Sequence, residues 1–452
     1  MIWRKFKDDI LQLTGTQRIF ILCAMVCAFC ITADYGIVRP VSNSIFLTQH
    51  GTDLFPYAWL AIVPLNFLLV ELYNRFLSRL GIQRMFLAII FFVAFVNTFC
   101  AIFMTKIPFL AFFFYVWKEI YIMLLFQQLW SVIHSTIHMS QAKFLYGLVF
   151  AVGGLGGIFG SILPGFFAVS MGSPNLLFAS IPLFTLLTFA FFKMLRFSSV
   201  SKEDTTKKPI SNFMQGVSAI RRSKYLSFIL IIVVLMQVAT TLIYYQFNSM
   251  LELTIPEEDL RTEYSGKIFA IVNVMTVVFQ LFGSFLFLHF FGLKRSHLLL
   301  PLILCFNALG SLVIPSFAMI SIAFITIKAF DFSLFGVLKE MLYIPLKQEE
   351  KFQAKSIIDV FAYRSAKALA SLLILLLQGL GFIRMIDCMT WGSLFLLIVW
   401  AFVVYKMFQL KEETPELEKT DFSDKKLSVE QETPAIESII QKLPEKDITI
   451  EK

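Results

Sequence analysis

The sequence predicts an all-α polytopic membrane protein with twelve transmembrane helices in two six-helix halves. Three features support this fold class: 58% of the 452 residues are hydrophobic, only 15% are charged, and 52 are phenylalanine. Such a composition lies far outside the range of soluble globular proteins. The apolar residues also form runs of about 20, the length with which a helix crosses the hydrocarbon core of a bilayer.

The predicted spans fall into two groups of six separated by a polar gap. The first group lies at residues 19–38, 55–73, 85–104, 109–133, 144–169 and 174–195, and the second at 225–251, 268–291, 297–315, 320–342, 360–382 and 389–408. The predicted units are an N-terminal segment at 1–18, a first half at 19–195, a basic linker at 196–224, a second half at 225–408 and an acidic tail at 409–452. Residues 411–452 hold seven Lys and twelve Asp or Glu, a composition typical of disorder.

Lys and Arg are concentrated in alternate connecting segments, for example Arg75, Arg79 and Arg84 between the second and third spans. The positive-inside rule therefore places both termini and the linker in the cytoplasm. The first run is too long for a signal peptide and lacks an A-x-A-like cleavage site, so it is predicted to remain as a helix. The net charge of +8 is explained by these basic connecting segments, which set the topology, and by contact with the lipid bilayer. It gives no reason to expect a nucleic-acid partner.

An internal repeat relates the two halves. Gln141-Ala142-Lys143 recurs as Gln353-Ala354-Lys355, an offset of 212 residues, and the same offset carries Glu119 onto Asp331. Two parallel six-helix halves joined by a cytoplasmic loop are the arrangement of major-facilitator transporters, whose substrate site lies near the midplane between the halves.

Charges inside the predicted spans mark the candidate site, because each costs about 2.5 to 3.5 kcal/mol at the bilayer centre and is normally kept for function. Lys118 and Glu119 lie in the middle of the fourth span. Neighbouring residues on a helix point about 100° apart, so the two are not expected to pair with each other. Each would instead face another helix or the substrate.

Other intramembrane charges lie in the first, tenth and eleventh spans. Arg39 follows the first span. In the tenth span, intervals of 3, 4 and 4 residues, which keep side chains on one helical face, separate Lys328, Asp331, Phe335 and Lys339. The predicted substrate-binding cations are Arg39, Lys118, Lys328, Lys339, Arg364 and Lys367, and the predicted coupling or charge-pair acids are Glu119, Asp331 and Asp359.

The alternative is that these charges form structural salt bridges or reach the membrane surface, most of all Lys339 and Asp359. If Glu340 is included among the acids, six cations face four anions. This surplus favours an anionic substrate.

Several motifs point away from other functions. No G-x-x-x-x-G-K-[ST] segment occurs, so no ATP-hydrolysing P-loop is expected. Cys23, Cys27 and Cys30 share a helical face without a His or carboxylate, so we expect neither a metal site nor a cofactor. The pairs Gly153 with Gly157 and Gly156 with Gly160 are small-xxx-small patterns, which predict close helix packing.

The residues of spans 10 and 11 carry a resemblance to a known family. This part of the chain resembles the signature of the nucleotide transporter (ATP/ADP translocase) family of intracellular bacteria and plastids. The resembling residues are Asp331-Phe332-Ser333-Leu334-Phe335, Lys339-Glu340-Met341-Leu342-Tyr343-Ile344-Pro345-Leu346, Lys351, Lys355, Ile358-Asp359-Val360, Arg364 and Lys367. Arg39, Glu119 and Ala142-Lys143 followed by Tyr146-Gly147 match more loosely. The family usually has a lysine three residues after the first-span arginine, where this chain has Ser42.

The resemblance implies a secondary transporter that exchanges nucleotides, ATP for ADP, in the inner membrane of an intracellular bacterium. No enzymatic activity is expected. One alternative keeps the fold but makes the chain a proton-coupled importer of a nucleotide, nucleoside or other organic anion, with Glu119 or Asp331 as the proton carrier. Another alternative is a membrane protein that does not transport and recruits a partner through its tail. The resemblance leaves the oligomeric state open.

Overall fold

The structure, a computed structural model, describes residues 14–136, 139–198, 213–344, 346, 355, 357–358, 362–381 and 385–413. Most of the predicted N-terminal segment, the centre of the linker and most of the acidic tail lie outside this described part. Asp359 also lies outside it. Within these ranges the chain is helical almost throughout, which confirms the predicted fold class.

The first half contains five helices: α1 (Gly15–His50), α2 (Phe55–Phe103), α3 (Pro108–Thr136), α4 (Met139–Met171) and α5 (Ser180–Arg196). The short helix α6 (Phe213–Arg222) precedes the second half, which contains α7 (Lys224–Thr254), α8 (Glu258–Val278), α9 (Ser284–Val313), α10 (Phe317–Phe332), α11 (Leu334–Leu342), α12 (Tyr363–Gly379) and α13 (Met385–Glu413). Short 3-10 turns at Thr52–Leu54 and Pro174–Ala179 and a π-helical turn at Phe279–Gly283 complete the described elements.

Among the described residues, ten helical segments are long and apolar enough to cross a membrane, and the bent pair α10 and α11 makes eleven. Helix α12 is shorter, with an apolar part at Ser365–Gly379. The predicted number of twelve spans is therefore not confirmed, although a helix occupies each of the twelve predicted regions.

Two glycines divide long helices into pairs of spans at corresponding places in the two halves. Gly81 interrupts α2 with φ 71°, and Gly292 interrupts α9 with φ 69°. Residues other than glycine rarely adopt this left-handed backbone, so both reversals depend on glycine. An arginine follows three residues later in each case, at Arg84 and Arg295. The two turns lie 211 residues apart, almost the offset of the repeat in the sequence.

Helices α1 and α8 differ from their predicted extents. The first span was predicted to end at residue 38, but α1 continues to His50, so Arg39 lies inside the helix rather than at its end. Ser42, Asn43 and Ser44 are polar yet fully buried against protein, and hydropathy cannot distinguish such residues from a surface loop. Helix α8 begins at Glu258, ten residues before the prediction, with Glu258 and Asp259 in the first turn, where the helix dipole favours acids.

The connections alternate between two ends of the helix bundle. We call the end that carries Gly51, after α1, the Gly51 end, and the opposite end, with the turns at Gly81 and Gly292, the Gly81 end. The two halves are bonded together at the Gly51 end. There Asn43 Nδ2 donates to Asn248 Oδ1 at 2.6 Å, the Thr52 amide donates to Glu252 at 2.8 Å, and the Ser173 hydroxyl donates to Asp259 at 2.5 Å.

Helix α4 lies between α1 of its own half and α8 of the other half. A Cβ atom on Gly160 would lie 2.0 Å from the Ala33 carbonyl oxygen of α1, and one on Gly154 would lie 2.4 Å from Val277 of α8. Asn273 of α8 donates to the Gly157 carbonyl at 2.9 Å. The predicted packing role of the glycines is confirmed, and they serve two interfaces at once.

Candidate functional site

Lys118 and Glu119 form an ion pair, contrary to the expectation from their adjacent positions. Lys118 Nζ lies 3.2 Å from Glu119 Oε1. The lysine stem is long enough to fold back along α3, so the directions of the two Cβ atoms do not decide whether the charged ends meet. The ammonium also donates to the Tyr115 carbonyl at 3.3 Å and lies 3.5 Å from the centroid of the Tyr115 ring. Lys118 is 1% exposed, and its charge is held by these contacts.

Arg39 lies between the halves, with aromatic rings around its guanidinium group. The guanidinium carbon is 4.0 Å from the ring centroid of Phe269 on α8 and 5.5 Å from that of Tyr35, one turn earlier on α1. The Tyr35 hydroxyl donates to Glu119 Oε1 at 3.2 Å. Tyr35 therefore connects the arginine of α1 with the ion pair of α3.

Lys328 and Asp331 lie near the end of α10. The Lys328 ammonium lies 5.6 Å from the ring centroid of Tyr244 and 5.3 Å from that of Phe332. Asp331 is buried and accepts a 2.7 Å hydrogen bond from Gln237 Nε2 of α7. Its carboxylate also interacts electrostatically with Lys328.

The single face predicted for Lys328, Asp331, Phe335 and Lys339 is interrupted. The helix breaks at Ser333, whose φ of −128° and ψ of −91° are not helical, and α11 leaves α10 at an angle of 40°. Phe335 and Lys339 lie beyond the break, and Phe335 packs against Trp400. The Ser333 hydroxyl donates to the Ala329 carbonyl, which competes with regular helix geometry at this point.

Lys367 comes from α12, and its ammonium lies 5.3 Å from the ring centroid of Trp59 on α2. It interacts electrostatically with Glu119 and Arg39. Arg364 belongs to the same helix, but its side chain lies outside the described part of the structure, as does Asp359.

The structure thus brings together six of the nine predicted site residues. They are Arg39, Lys118, Glu119, Lys328, Asp331 and Lys367, and mutual electrostatic interactions connect them. We call this set the charge cluster. It holds four cations and two anions and draws on both halves, through α1, α3, α10 and α12. Its surplus of two positive charges at the interface of the halves suits a polyanion.

Tyr244 and Trp59, which the sequence did not indicate, form one wall of the charge cluster together with Tyr115. Tyr244 of α7 stacks on Trp59 with a centroid distance of 5.8 Å, and Trp59 donates to the Tyr115 hydroxyl at 2.9 Å. The Tyr244 hydroxyl donates to Asn43 at 3.0 Å. This wall joins the two halves on the side of the charge cluster that faces the Gly51 end.

Two other aromatic residues of α3 have partners other than the charge cluster. Trp117 packs against Phe92 and Phe113. Tyr121 donates to Asp34 at 2.8 Å. Asp34 itself is a fully buried acid of α1 that is not among the predicted site residues.

A cavity of about 210 Å³ runs from Arg39 toward the Gly81 end. Its lining includes Trp130 and Phe150 of the first half and Asn273, Gln280 and Phe332 of the second. The cavity combines aromatic faces and amide groups with the Arg39 guanidinium, so it can hold both the apolar and the polar parts of an organic anion.

A family model described as TLC ATP/ADP transporter matches residues 108–411, more than half of the chain. Two curated relatives are called "ADP,ATP carrier protein 1". The protein from Chlamydia pneumoniae is 26% identical over 181 residues, which cover 36% of this chain and 35% of that protein. The protein from Chlamydia trachomatis serovar D is 25% identical over 186 residues, 37% of this chain and 35% of the relative. The matched segment thus spans about a third of each relative.

Solved structures show the same fold at low sequence identity. The POT family transporter PepTSo superposes with a TM-score of 0.60 at 12% identity, covering 89% of this chain and 99% of that one. The nucleoside transporter NupG superposes with a TM-score of 0.57 at 12% identity, covering 86% of this chain and 100% of that one. A bacterial homologue of the lysosomal transporter Spinster, in an inward-facing and unoccupied conformation, superposes with a TM-score of 0.57 at 12% identity. The match covers 87% of this chain and 97% of that one.

Proposed function

The chain belongs to the TLC ATP/ADP transporter family, and from that premise we propose that it exchanges nucleotides, ATP for ADP, by alternating access. Its multi-pass helical fold and its family make it an integral membrane transporter rather than an enzyme. The names of the chlamydial relatives support ATP and ADP as the substrates.

The observation that carries the proposal is the charge cluster. Arg39 and Lys118 come from the first half, and Lys328 and Lys367 come from the second. A nucleotide whose phosphates contact all four would bridge the halves, so binding and movement of the halves would be coupled. ATP carries about four negative charges, and arginine and lysine are the side chains that bind phosphate best.

The surplus charge also gives a reason for exchange rather than one-way release. An empty site would carry two unbalanced positive charges through the occluded state, away from water, which is costly. A bound polyanion gives these positive charges direct partners, so the empty transporter would reorient slowly and the loaded one quickly. Substrate would then be needed for both strokes.

The direction of access follows from the positive-inside rule. It would place the basic Gly81 end and both termini in the cytoplasm and the bonded Gly51 end outside. In this conformation the cavity beside Arg39 would then face the cytoplasm. The chlamydial relatives support the inner membrane of an intracellular bacterium as the location.

The proposal is tested by uptake of radiolabelled ATP into proteoliposomes that contain the purified chain. We expect rapid uptake when ADP is enclosed, almost none when the lumen is empty, and no loss of uptake when a protonophore is added. Uptake that ignores enclosed ADP but collapses with the protonophore would favour the proton-coupled importer. A chain that stops after Leu410 should keep full exchange, and loss of function there would favour a role for the tail.

A further inference from the structure

A second cationic site lies far from the charge cluster, at the Gly81 end. The C-terminus of α6, the first turns of α7 and the last turns of α13 enclose a groove of about 600 Å³. Three cations line it, one from each helix: Arg221, Lys224 and Lys406. We call it the α6–α13 groove.

The groove changes from charged to apolar along two helices in parallel. On α7, Lys224 is followed on the same face by Phe228 and Ile231, about 6 and 10 Å deeper. On α13, Phe402 lies about 6 Å deeper than Lys406. Ile231 is 41% exposed and Phe402 is 59% exposed, so the deeper part of the groove faces the surroundings of the bundle.

The groove is positive, and its charges are available for a ligand. Among the residues described along its lining there is no Asp or Glu. Arg221 and Lys224 are exposed at the surface. The Lys406 ammonium donates to Gln409 at 3.2 Å and lies 5.9 Å from the Phe402 ring centroid, so it stays beside the apolar part of the groove.

We propose that the α6–α13 groove binds one anionic phospholipid, with its phosphate among Arg221, Lys224 and Lys406 and an acyl chain along Phe228, Ile231 and Phe402. A soluble phosphate would satisfy the cations but would leave the apolar groove empty. A zwitterionic lipid would fill the groove but would bring no net negative charge to the three cations. An anionic phospholipid supplies both a net negative charge and an acyl chain, and basic pockets between helices at the membrane surface bind such lipids. The proposal does not depend on what the transporter carries.

The test is native mass spectrometry of the full chain with phosphatidylglycerol, phosphatidylcholine or inorganic phosphate. The variant carries Arg221→Gln, Lys224→Gln and Lys406→Gln together. Each basic residue near the surface contributes about fivefold to binding of anionic lipid, so the triple variant should bind phosphatidylglycerol roughly 100-fold more weakly. The matched control, Arg79→Gln, Arg84→Gln and Lys193→Gln, removes the same charge at the same end without touching the groove, and its lipid binding should equal that of the wild type.

Thermal unfolding in detergent provides the second measurement. Both triple variants should unfold at the wild-type temperature without lipid, and phosphatidylglycerol should stabilise the wild type and the control but not the groove variant. Equal lipid binding by the two triple variants would overturn the proposal. So would equal binding of phosphatidylcholine by the wild type, or stabilisation by inorganic phosphate as large as that by the lipid. If the groove triple variant fails to fold, the single Lys406→Glu change is used, and normal phosphatidylglycerol binding by that variant would overturn the proposal equally.

Discussion

At the scale of single residues, the charge cluster is built from lysines and an arginine that contact aromatic faces as well as acids. Lys118 has a carboxylate, a carbonyl and the Tyr115 ring around its ammonium, whereas Lys328 lies between the Tyr244 and Phe332 rings. A ring face attracts a cation by about 2 kcal/mol when both are removed from water. These ring contacts therefore help to stabilise the positive charges of a cluster that has fewer acids than cations.

Replacing Lys118 or Lys328 with Ala should weaken nucleotide exchange while leaving membrane insertion intact, because removing a charge makes insertion easier. A hydrogen bond to a charged group contributes about 1.5 to 3 kcal/mol. Each variant should therefore have roughly 10- to 100-fold weaker apparent affinity for ATP, measured by uptake at varied ATP concentration.

The matched control for this experiment is Lys267→Ala. Lys267 is also a helical lysine paired with an acid, Glu263 at 2.6 Å, but its side chain is 45% exposed. Its loss should leave uptake within about twofold, in line with the small value of exposed ion pairs. Normal uptake by the Lys118 and Lys328 variants would rule out the charge cluster as the nucleotide site.

Ser42 stands where the resembling family usually has lysine. Its side chain is 0% exposed and its hydroxyl donates to the Arg39 carbonyl at 3.1 Å. Ser42→Lys should reduce uptake in the native chain, because the larger side chain enters a filled space one turn from Arg39. In a Lys118→Ala background it should restore part of the lost uptake, since a polyanion responds to the total positive charge around it. Strictly additive losses in this mutant cycle would show that the two positions do not compensate.

The sequence predicted which charges the structure brings together better than it predicted their aromatic contacts. Arg39, Lys118, Lys328 and Lys367 could be found because cations in apolar helices are rare. Tyr35, Tyr115 and Tyr244 could not be ranked in a chain with 16% aromatic residues. One usable signal was the spacing of Tyr35, four residues before Arg39 and so on the same face of α1.

At the scale of helices, α4 acts as a spacer of fixed thickness between α1 and α8. Gly156 and Gly160 face the backbone of α1, while Gly154 and Gly157 face Val277 and Asn273 of α8. Helix α4 can therefore approach both neighbours closely, because glycines, which have no side chain, lie at both contacts. Such contacts replace the hydrophobic driving force that is missing between helices in lipid.

Gly160→Ala should destabilise the protein, because its methyl group would overlap the Ala33 carbonyl. Overpacking of this kind costs about 1 to 3 kcal/mol. The control is Gly147→Ala on the same helix, where no atom lies within 4 Å of the new Cβ and alanine favours the helix. Thermal unfolding followed by tryptophan fluorescence should show a lower midpoint for Gly160→Ala only. Equal midpoints would mean that α1 and α4 separate easily.

Hydropathy predicted the helices but not where they end or break. The polar segment from Ser42 to Ser44 looks like a loop in the sequence, yet it continues α1 because its side chains face protein. The break at Ser333 lies within an apolar run and carries no proline or glycine. The continuation of α1 depends on tertiary contacts and the break on a local hydrogen bond of the Ser333 hydroxyl with the Ala329 carbonyl, and hydropathy records neither.

At the scale of the whole molecule, polar bonds hold the halves together at the Gly51 end. Asp259 accepts from both the amide and the hydroxyl of Ser173, and Arg261 donates to Thr48 at 3.3 Å. These hydrogen bonds can be exchanged for hydrogen bonds to water, so breaking them costs little. This end of the bundle is thus suited to opening and closing repeatedly.

A reversible crosslink tests whether the Gly51 end opens during transport. In a Cys388→Ser background, which removes the one cysteine that is not buried, Ser173→Cys and Asp259→Cys together should form a disulfide that joins the halves. Oxidation should reduce exchange at least roughly tenfold, and dithiothreitol should restore it, because alternating access requires this end to open. Each single cysteine variant should be insensitive to oxidation. Full exchange by the crosslinked protein would show that the Gly51 end does not open during transport.

The return of one charge cluster with ATP in one direction and ADP in the other has an electrical consequence. The cluster's own charge is the same on both strokes, so the net charge moved is the difference between ATP, with about four negative charges, and ADP, with about three. Each ATP-for-ADP exchange would therefore move one net charge, which is worth about 2.3 kcal/mol per 100 mV of membrane potential. In proteoliposomes with the potential set by potassium and valinomycin, an interior-positive voltage should accelerate ATP uptake and an interior-negative voltage should slow it. The protein would then pass an electric current across the membrane, and the direction of that current would depend on both the nucleotide gradients and the voltage.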